Sequence, residues 1–138
     1  MTHRERMDAF WKAFEAGEID RVIAEMVTPD IEFTMPGTPP LHGAAQARRL
    51  WTAWREAFPD MRHETAHAIE ADDTYSAETR FSGTHTGMLR GAQGEIPATG
   101  KTVRWESADV VRFERGRIKS WHVYHDQMAL LGQLGLMR

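Results

Sequence analysis

The chain has no cysteine, an absence that removes disulfides, thiol nucleophiles and cysteine-based zinc sites together. It has no continuous apolar run of signal-peptide or membrane-span length, since its start, MTHRERMDAFWKAF, mixes charge into the apolar positions. Nor does it carry a surplus of positive charge. Its 17 Lys and Arg and 20 Asp and Glu are spread along the whole length, with a formal net charge of -3, and form no cationic stripe for phosphates. Nucleic acid and membranes are therefore not expected partners, and the expected location is cytoplasmic. A nucleotide-binding glycine fingerprint, a GxSxG elbow and any recognised motif around a nucleophilic serine are missing as well. Acid and base chemistry, or ligand binding alone, remains. The 138 residues make one domain, 1–138, able to bury roughly two-thirds of its unfolded surface in a single core.

Hydrophobic spacing divides the chain into a helical first half and a stranded second half. Thr2 and Glu5 have the spacing of a capping box ahead of Met7, Phe10, Trp11 and Phe14, and Gly17 marks the stop. Ile19 to Val27 reads as a second short helix, broken by Thr28, Pro29 and Asp30, and Ile31 to Met35 as a strand containing Phe33. A loop with three prolines and two glycines runs from Pro36 to Gly43. Ala47, Leu50, Trp51, Trp54 and Phe58 mark one face of a longer helix that Pro59 ends. Beyond it the period is two. Met61 to Ala71 and Thr74 to His85 form a hairpin about Asp72 and Asp73, and after a glycine-rich loop Thr102 to Glu114 alternates cleanly. Arg115 and Gly116 turn the chain into a last strand, Arg117 to His125, followed by an apolar tail from Met128 to Leu136. This order implies an α+β fold, a curved antiparallel sheet with helices packed on its concave face to form a cone-shaped pocket.

Polar residues that fall in the buried phase of such strands are the informative exceptions. Met61 and Ile69 share their phase with His63, Thr65 and His67; Tyr75, Ala77 and Phe81 share theirs with His85. The third strand places Ser107 and Asp109 there. On the last, Ile118 shares its phase with Ser120, His122, Tyr124 and Asp126. Ionisable groups thus converge on one face, unless a β-bulge swaps the assignment of everything beyond it. Asp126 is either an N-cap for the tail helix or a general base whose pKa desolvation raises. Asp109, among Val103, Trp105, Val111 and Phe113, needs a hydrogen bond, a charged partner or a proton. His122, Tyr124 and His85 orient or donate to a substrate, or are satisfied wall residues. His63 and His67 lie about 13 Å apart along a strand, too far to chelate one metal, and neither a metal nor another cofactor is expected. Trp51, Trp54, Phe58, Phe10 and Phe14 are at core spacing, and Trp51, Trp54, Phe33, Trp105, His63 and Tyr124 are the candidate substrate-binding residues.

Several stretches together carry a resemblance: AFPDMRHE, FSGTHTGML, IPATGKTV and VVRFERGRIKSWHVYHDQMALLGQLGL. From about Phe10 to Leu136 the chain resembles the SnoaL-like polyketide cyclases, within the nuclear-transport-factor-2-like superfamily of α+β cones. The resemblance implies a cofactor-free cyclase in which a pocket aspartate, matched here by Asp126, removes a carbon-bound proton from a polyketide ester and starts an intramolecular aldol closure. His122, His85 and Asp109 are then the accompanying catalytic candidates. The same superfamily includes epoxide hydrolases and proteins without catalysis, so a water-activating enzyme and a non-catalytic binder of hydrophobic small molecules stand as alternatives. The expected partner is a hydrophobic, aromatic small molecule, and the resemblance implies a homodimer or homotetramer. Gly83, Gly87 and Gly100 are read as turn or close-packing residues.

Overall fold

The capping residues set the first helix, α1, at His3–Glu15: the Thr2 hydroxyl accepts from the Glu5 amide while the Glu5 carboxylate takes the Thr2 amide, and Gly17 leaves the helix with φ 80°. In the computed structural model, which describes residues 1–91 and 94–136, α2 (Ile19–Arg21) then widens into a π-turn at Val22–Met26. Strand β1 (Val27–Thr34) begins four residues earlier than the sequence suggested and runs through Pro29. A proline there removes one ladder donor without stopping the chain, because the pairing with the neighbouring strand is itself irregular between Val27 and Glu32. The expected loop contains β2 (Leu41–His42), and α3 occupies Ala44–Ala57.

Strands β3 (Arg62–Ala71), β4 (Thr74–Thr84), β7 (Thr102–Glu114) and β8 (Arg117–His125) lie close to where their alternation predicts them. The glycine-rich loop folds as a small separate hairpin, β5 (Leu89–Gly91) with β6 (Gly94–Ile96), which period-two reading missed because each strand is only three residues long. Helix α4 (Gln127–Gln133) closes the described chain. Its Gln133 amide exchanges two hydrogen bonds, 2.6 and 2.8 Å, with the backbone of Arg104 and so ties the helix to β7.

The main sheet has the order β2-β1-β8-β7-β4-β3. Its ladders are antiparallel except one: β1 runs parallel to β8. No hairpin joins those two strands, so nothing forces them antiparallel, and the expected all-antiparallel sheet is corrected at that pair. Helices α1 and α3 bring Phe10, Phe14 and Trp51 across one sheet face, where Phe10 and Phe33 meet Trp121 edge-on at 5.0 and 5.4 Å between ring centroids.

Two bulges decide what the sheet presents to those helices. On β3 an extra residue, Ala66, stands between the Thr65–Thr79 and His67–Glu78 pairs. On β8 an extra residue, Lys119, stands between the pairs Phe113–Ile118 and Arg112–Ser120. Beyond each, the strand shows the helices the opposite set of side chains. His67 and Ile69 are exposed as a result, Ile69 at 75%, and Trp121 replaces His122 in the interior.

Candidate functional site

Where α1 and α3 cross the sheet they leave a cavity of about 90 Å3 lined by all five tryptophans, with Phe14, Phe33 and Phe81 among its other walls. The sequence packs the ring-bearing residues of α1 and α3 at helical intervals, so Trp11 and Trp51 arrive from two directions at one point. Five polar side chains break this aromatic surface: His63, Thr79, Ser107, Asp109 and His125.

Asp109 sits at the middle of β7, 2% exposed, opposite Ala77 on one side and Val123 on the other. Its two carboxyl oxygens each take one hydroxyl, Thr79 at 2.7 Å and Ser107 at 3.0 Å. No cation pairs with it among the described residues. Burial pushes the Asp109 carboxyl above the usual carboxylate range, and the hydroxyl bonds together with the nearby Trp121 indole offset part of that rise. The indole N–H of Trp121 meets no partner in hydrogen-bond geometry, so it stands as an unused donor on the Asp109 side of the cavity.

His63, on the first turn-side residues of β3, has a side chain 7% exposed and stacks on Trp11 with ring centroids 3.7 Å apart. Glu15, the last residue of α1, holds it from outside. The Glu15 carboxylate accepts the His63 backbone amide at 2.9 Å and lies 3.2 Å from Nδ1. Burial lowers the imidazole pKa, with Glu15 pulling it partway back. Glu15 is itself desolvated, which raises its pKa, but the hydrogen bonds from His63 outweigh that and leave it below the ordinary value. The consistent state is a neutral His63 with Nδ1–H donating to an ionised Glu15, which leaves Nε2 as the free acceptor of a ring that lines the cavity.

His125 ends β8 opposite Ser107. Its Nε2 lies 2.8 Å from Gln127 Oε1 and its Nδ1 is buried without a partner. Burial lowers its pKa too, against smaller raising effects of Gln127 and Asp126. Burial therefore shifts all three groups towards their neutral forms, the carboxyl upwards and the two imidazoles downwards. Such a set can pass a proton to or from an apolar molecule without stranding a charge in the interior.

The structure brings Asp109, His63, Trp51, Trp54, Phe33 and Trp105 to this cavity. It does not bring Asp126, His122, Tyr124 or His85 there. Asp126 is exposed and caps α4, accepting the Ala129 amide at 3.0 Å. His122 and the 58% exposed Tyr124 point from the opposite sheet face, because the Lys119 bulge has exchanged the two phases of β8. His85 is fully buried but fixes a loop: its Nδ1 accepts the Thr99 amide at 3.3 Å and lies 3.0 Å from the Thr99 hydroxyl, beside the ring of Phe58. Sequence reading missed Glu15, His125, Trp11 and Trp121 as site residues. For His125 a signal existed. Ile118, Trp121 and Val123 cannot share one face of a regular strand, and an extra residue between them moves all three inside. Glu15 carried none, being one more acid on the polar end of an amphipathic helix. Among the described residues no cluster of three His, Asp or Glu is placed to hold a metal ion, and no helix is long and apolar enough to cross a membrane.

Comparison with known proteins locates this architecture. A family model described as SnoaL-like polyketide cyclase matches residues 2–134. Among solved structures, TsrD from Streptomyces laurentii superposes with a TM-score of 0.80 at 22% identity, covering 97% of this chain and 95% of its own. IdmH from Streptomyces antibioticus, a proposed polyketide cyclase, gives 0.78 at 22% identity over 98% and 99% of the two chains. An epoxide hydrolase of the LEH-like type from M. tuberculosis gives 0.71 at 16% identity over 94% and 86%. At these identities the likeness is one of fold. No curated protein sequence matches the chain.

Proposed function

From the premise that this chain belongs to the SnoaL-like polyketide cyclase family, we propose that its aromatic cavity closes a ring in a polyketide-type ester by an aldol reaction, with Asp109 and His63 as the proton carriers. The observation that carries the reading is the buried Asp109 carboxyl, held by two hydroxyls inside an aromatic cavity and biased towards its protonated form. In the first step the His63 Nε2 lone pair takes a proton from the carbon next to the ester carbonyl, and the resulting carbanion is delocalised into that carbonyl. That carbon then attacks an aldehyde or ketone carbon in the same molecule. One carbon–carbon bond forms, the attacked C=O becomes an alkoxide, and the Asp109 carboxyl gives that oxygen its proton. Transfer of the proton from His63 back to Asp109 restores both groups. The overall change is an isomerisation with no leaving group and no redox step.

Glu15 serves by keeping His63 in the tautomer whose Nε2 carries the lone pair, and the unpartnered Nδ1 of His125 offers a second acceptor for a substrate hydroxyl. The test is turnover of an uncyclised polyketide methyl ester. Asp109→Asn is expected to lose about 10²- to 10⁴-fold, the usual contribution of a positioned acid or base. Unchanged turnover in folded Asp109→Asn protein would refute the assignment, and labelled oxygen from water appearing in a diol product would redirect the same residues to water activation.

A further inference from the structure

An engineered cavity of about 150 Å3 takes a single benzene, so the cavity of about 90 Å3 found here is too small, as it stands, for a molecule in which a ring is being formed beside others. A second space lies next to it. Between α3, the β5–β6 hairpin and α4 runs an apolar cleft of about 310 Å3 walled by Leu50, Leu89, Ile96, Leu130, Leu131 and Leu134. Their linings are linked in three ways. Trp54 lines both; Met35 of the cavity is followed in the chain by Pro36 of the cleft; and His125 of the cavity is hydrogen-bonded to Gln127 of the cleft. Trp54 is half-buried and lines both spaces.

We propose that the leucine-walled cleft is the subsite for the uncharged, apolar far end of the substrate, an alkyl or aryl chain, and that Trp54 swings aside to join it to the cavity where the ring closes. This inference rests on the reading of the cavity as the reaction site. Charge at the mouth of the cleft supports a neutral occupant. Its Arg90 is already matched by Glu56 and Glu95, each at 3.6 Å, so no unpaired cation waits there for an anionic head group.

The methyl, butyl and octyl esters of 2-naphthoic acid, titrated by quenching of tryptophan fluorescence, test the subsite, since all five tryptophans line the cavity. In the wild-type protein each of the first added methylenes is expected to tighten binding by up to about fourfold. The half-buried Leu131 and Ile96 supply two independent variants, Leu131→Gln and Ile96→Gln, in which the dependence on chain length should flatten, with each variant's own methyl ester as its reference. Affinity independent of chain length in the wild type, or an undiminished slope in both variants, overturns the proposal. Asp109→Asn separates the two readings: with turnover lost and the slope retained both stand, whereas turnover retained with the slope intact removes the chemistry and leaves the subsite.

Discussion

Asp109 is held where water would hold it better. Its carboxyl has no charged partner among the described residues and its folded pKa is raised by burial above the ordinary 3.8. The sign follows from proton linkage: between the unfolded and the folded pKa the native state binds more protons, so stability falls as pH rises through that window, and the whole penalty is present above it. Asn keeps the shape without the charge. Asp109→Asn should therefore melt at a higher temperature than the wild type at neutral pH, with the difference shrinking as pH falls and gone below about pH 4, while the turnover described above collapses. A lower melting temperature across the whole pH range would mean that the carboxylate is a structural anchor. At Asp126 the balance is reversed. Its side chain is exposed and accepts the Ala129 amide, so Asp126→Ala should cost about 1 kcal/mol of stability, the usual value of an N-cap, with turnover unaltered. A large fall in turnover at unchanged stability would return Asp126 to the chemistry. The sequence marked Asp109 as an acid among Val103, Trp105, Val111 and Phe113 that needs a hydrogen bond, a charged partner or a proton, a structural bond and a chemical role being equally open; for Asp126 both the cap and the base were visible, and the observed cap leaves the base to the turnover test.

At the scale of elements, alternation located β7 and β8 to the residue because each is long and flanked by turn residues, Arg115 and Gly116 taking φ 52° and 81° between them. The face that a strand shows is a different matter. One extra residue at Ala66 or Lys119 reverses everything after it, and a bulge is stabilised by what the strand then buries, not by the residue that bulges. The same dependence on distant contacts governs the segment 83–87. The Gly87 amide donates to the Ala57 carbonyl at the end of α3, and a Cβ on Gly87 would stand 2.0 Å from the Glu56 carbonyl oxygen. That oxygen belongs to backbone and has little freedom to retreat. Gly87→Ala should destabilise the protein by roughly 2–4 kcal/mol, read from urea unfolding, and should loosen the contact of this segment with α3; a change below about 0.5 kcal/mol, the usual range for surface positions, would show that the close approach is dispensable.

For the whole molecule, stability should fall on mild acidification. His85 is buried and His63 and His125 are partly so, and desolvation lowers the pKa of all three from 6.5. A histidine kept neutral by the fold takes up its proton more readily when unfolded, so its contribution is full above about pH 6.5 and is lost as pH drops below that value towards the lowered folded pKa. Glu15, lowered from 4.5, adds a further loss only below that pH, while Asp109 works in the opposite sense. The urea midpoint is expected to drop between about pH 7.5 and 5.5, and His63→Gln should make the drop smaller. A midpoint that is flat over this range would contradict the neutral-imidazole description of the cavity.

Composition and period were enough to determine a cysteine-free α+β domain, the order of its main elements, the capping of α1 and the burial of Asp109, because those depend on local propensity and on which residues leave water. Motif resemblance added the family. What only the tertiary structure decided is the membership of the site. Glu15 reaches His63 across 48 positions of sequence, His125 replaces His122 by virtue of one bulge, and Trp54 lines two spaces that no single element contains. Each of these is set by packing between elements distant in the chain, where the energy of burying Trp121 and Val123 outweighs the regularity of the strand that carries them.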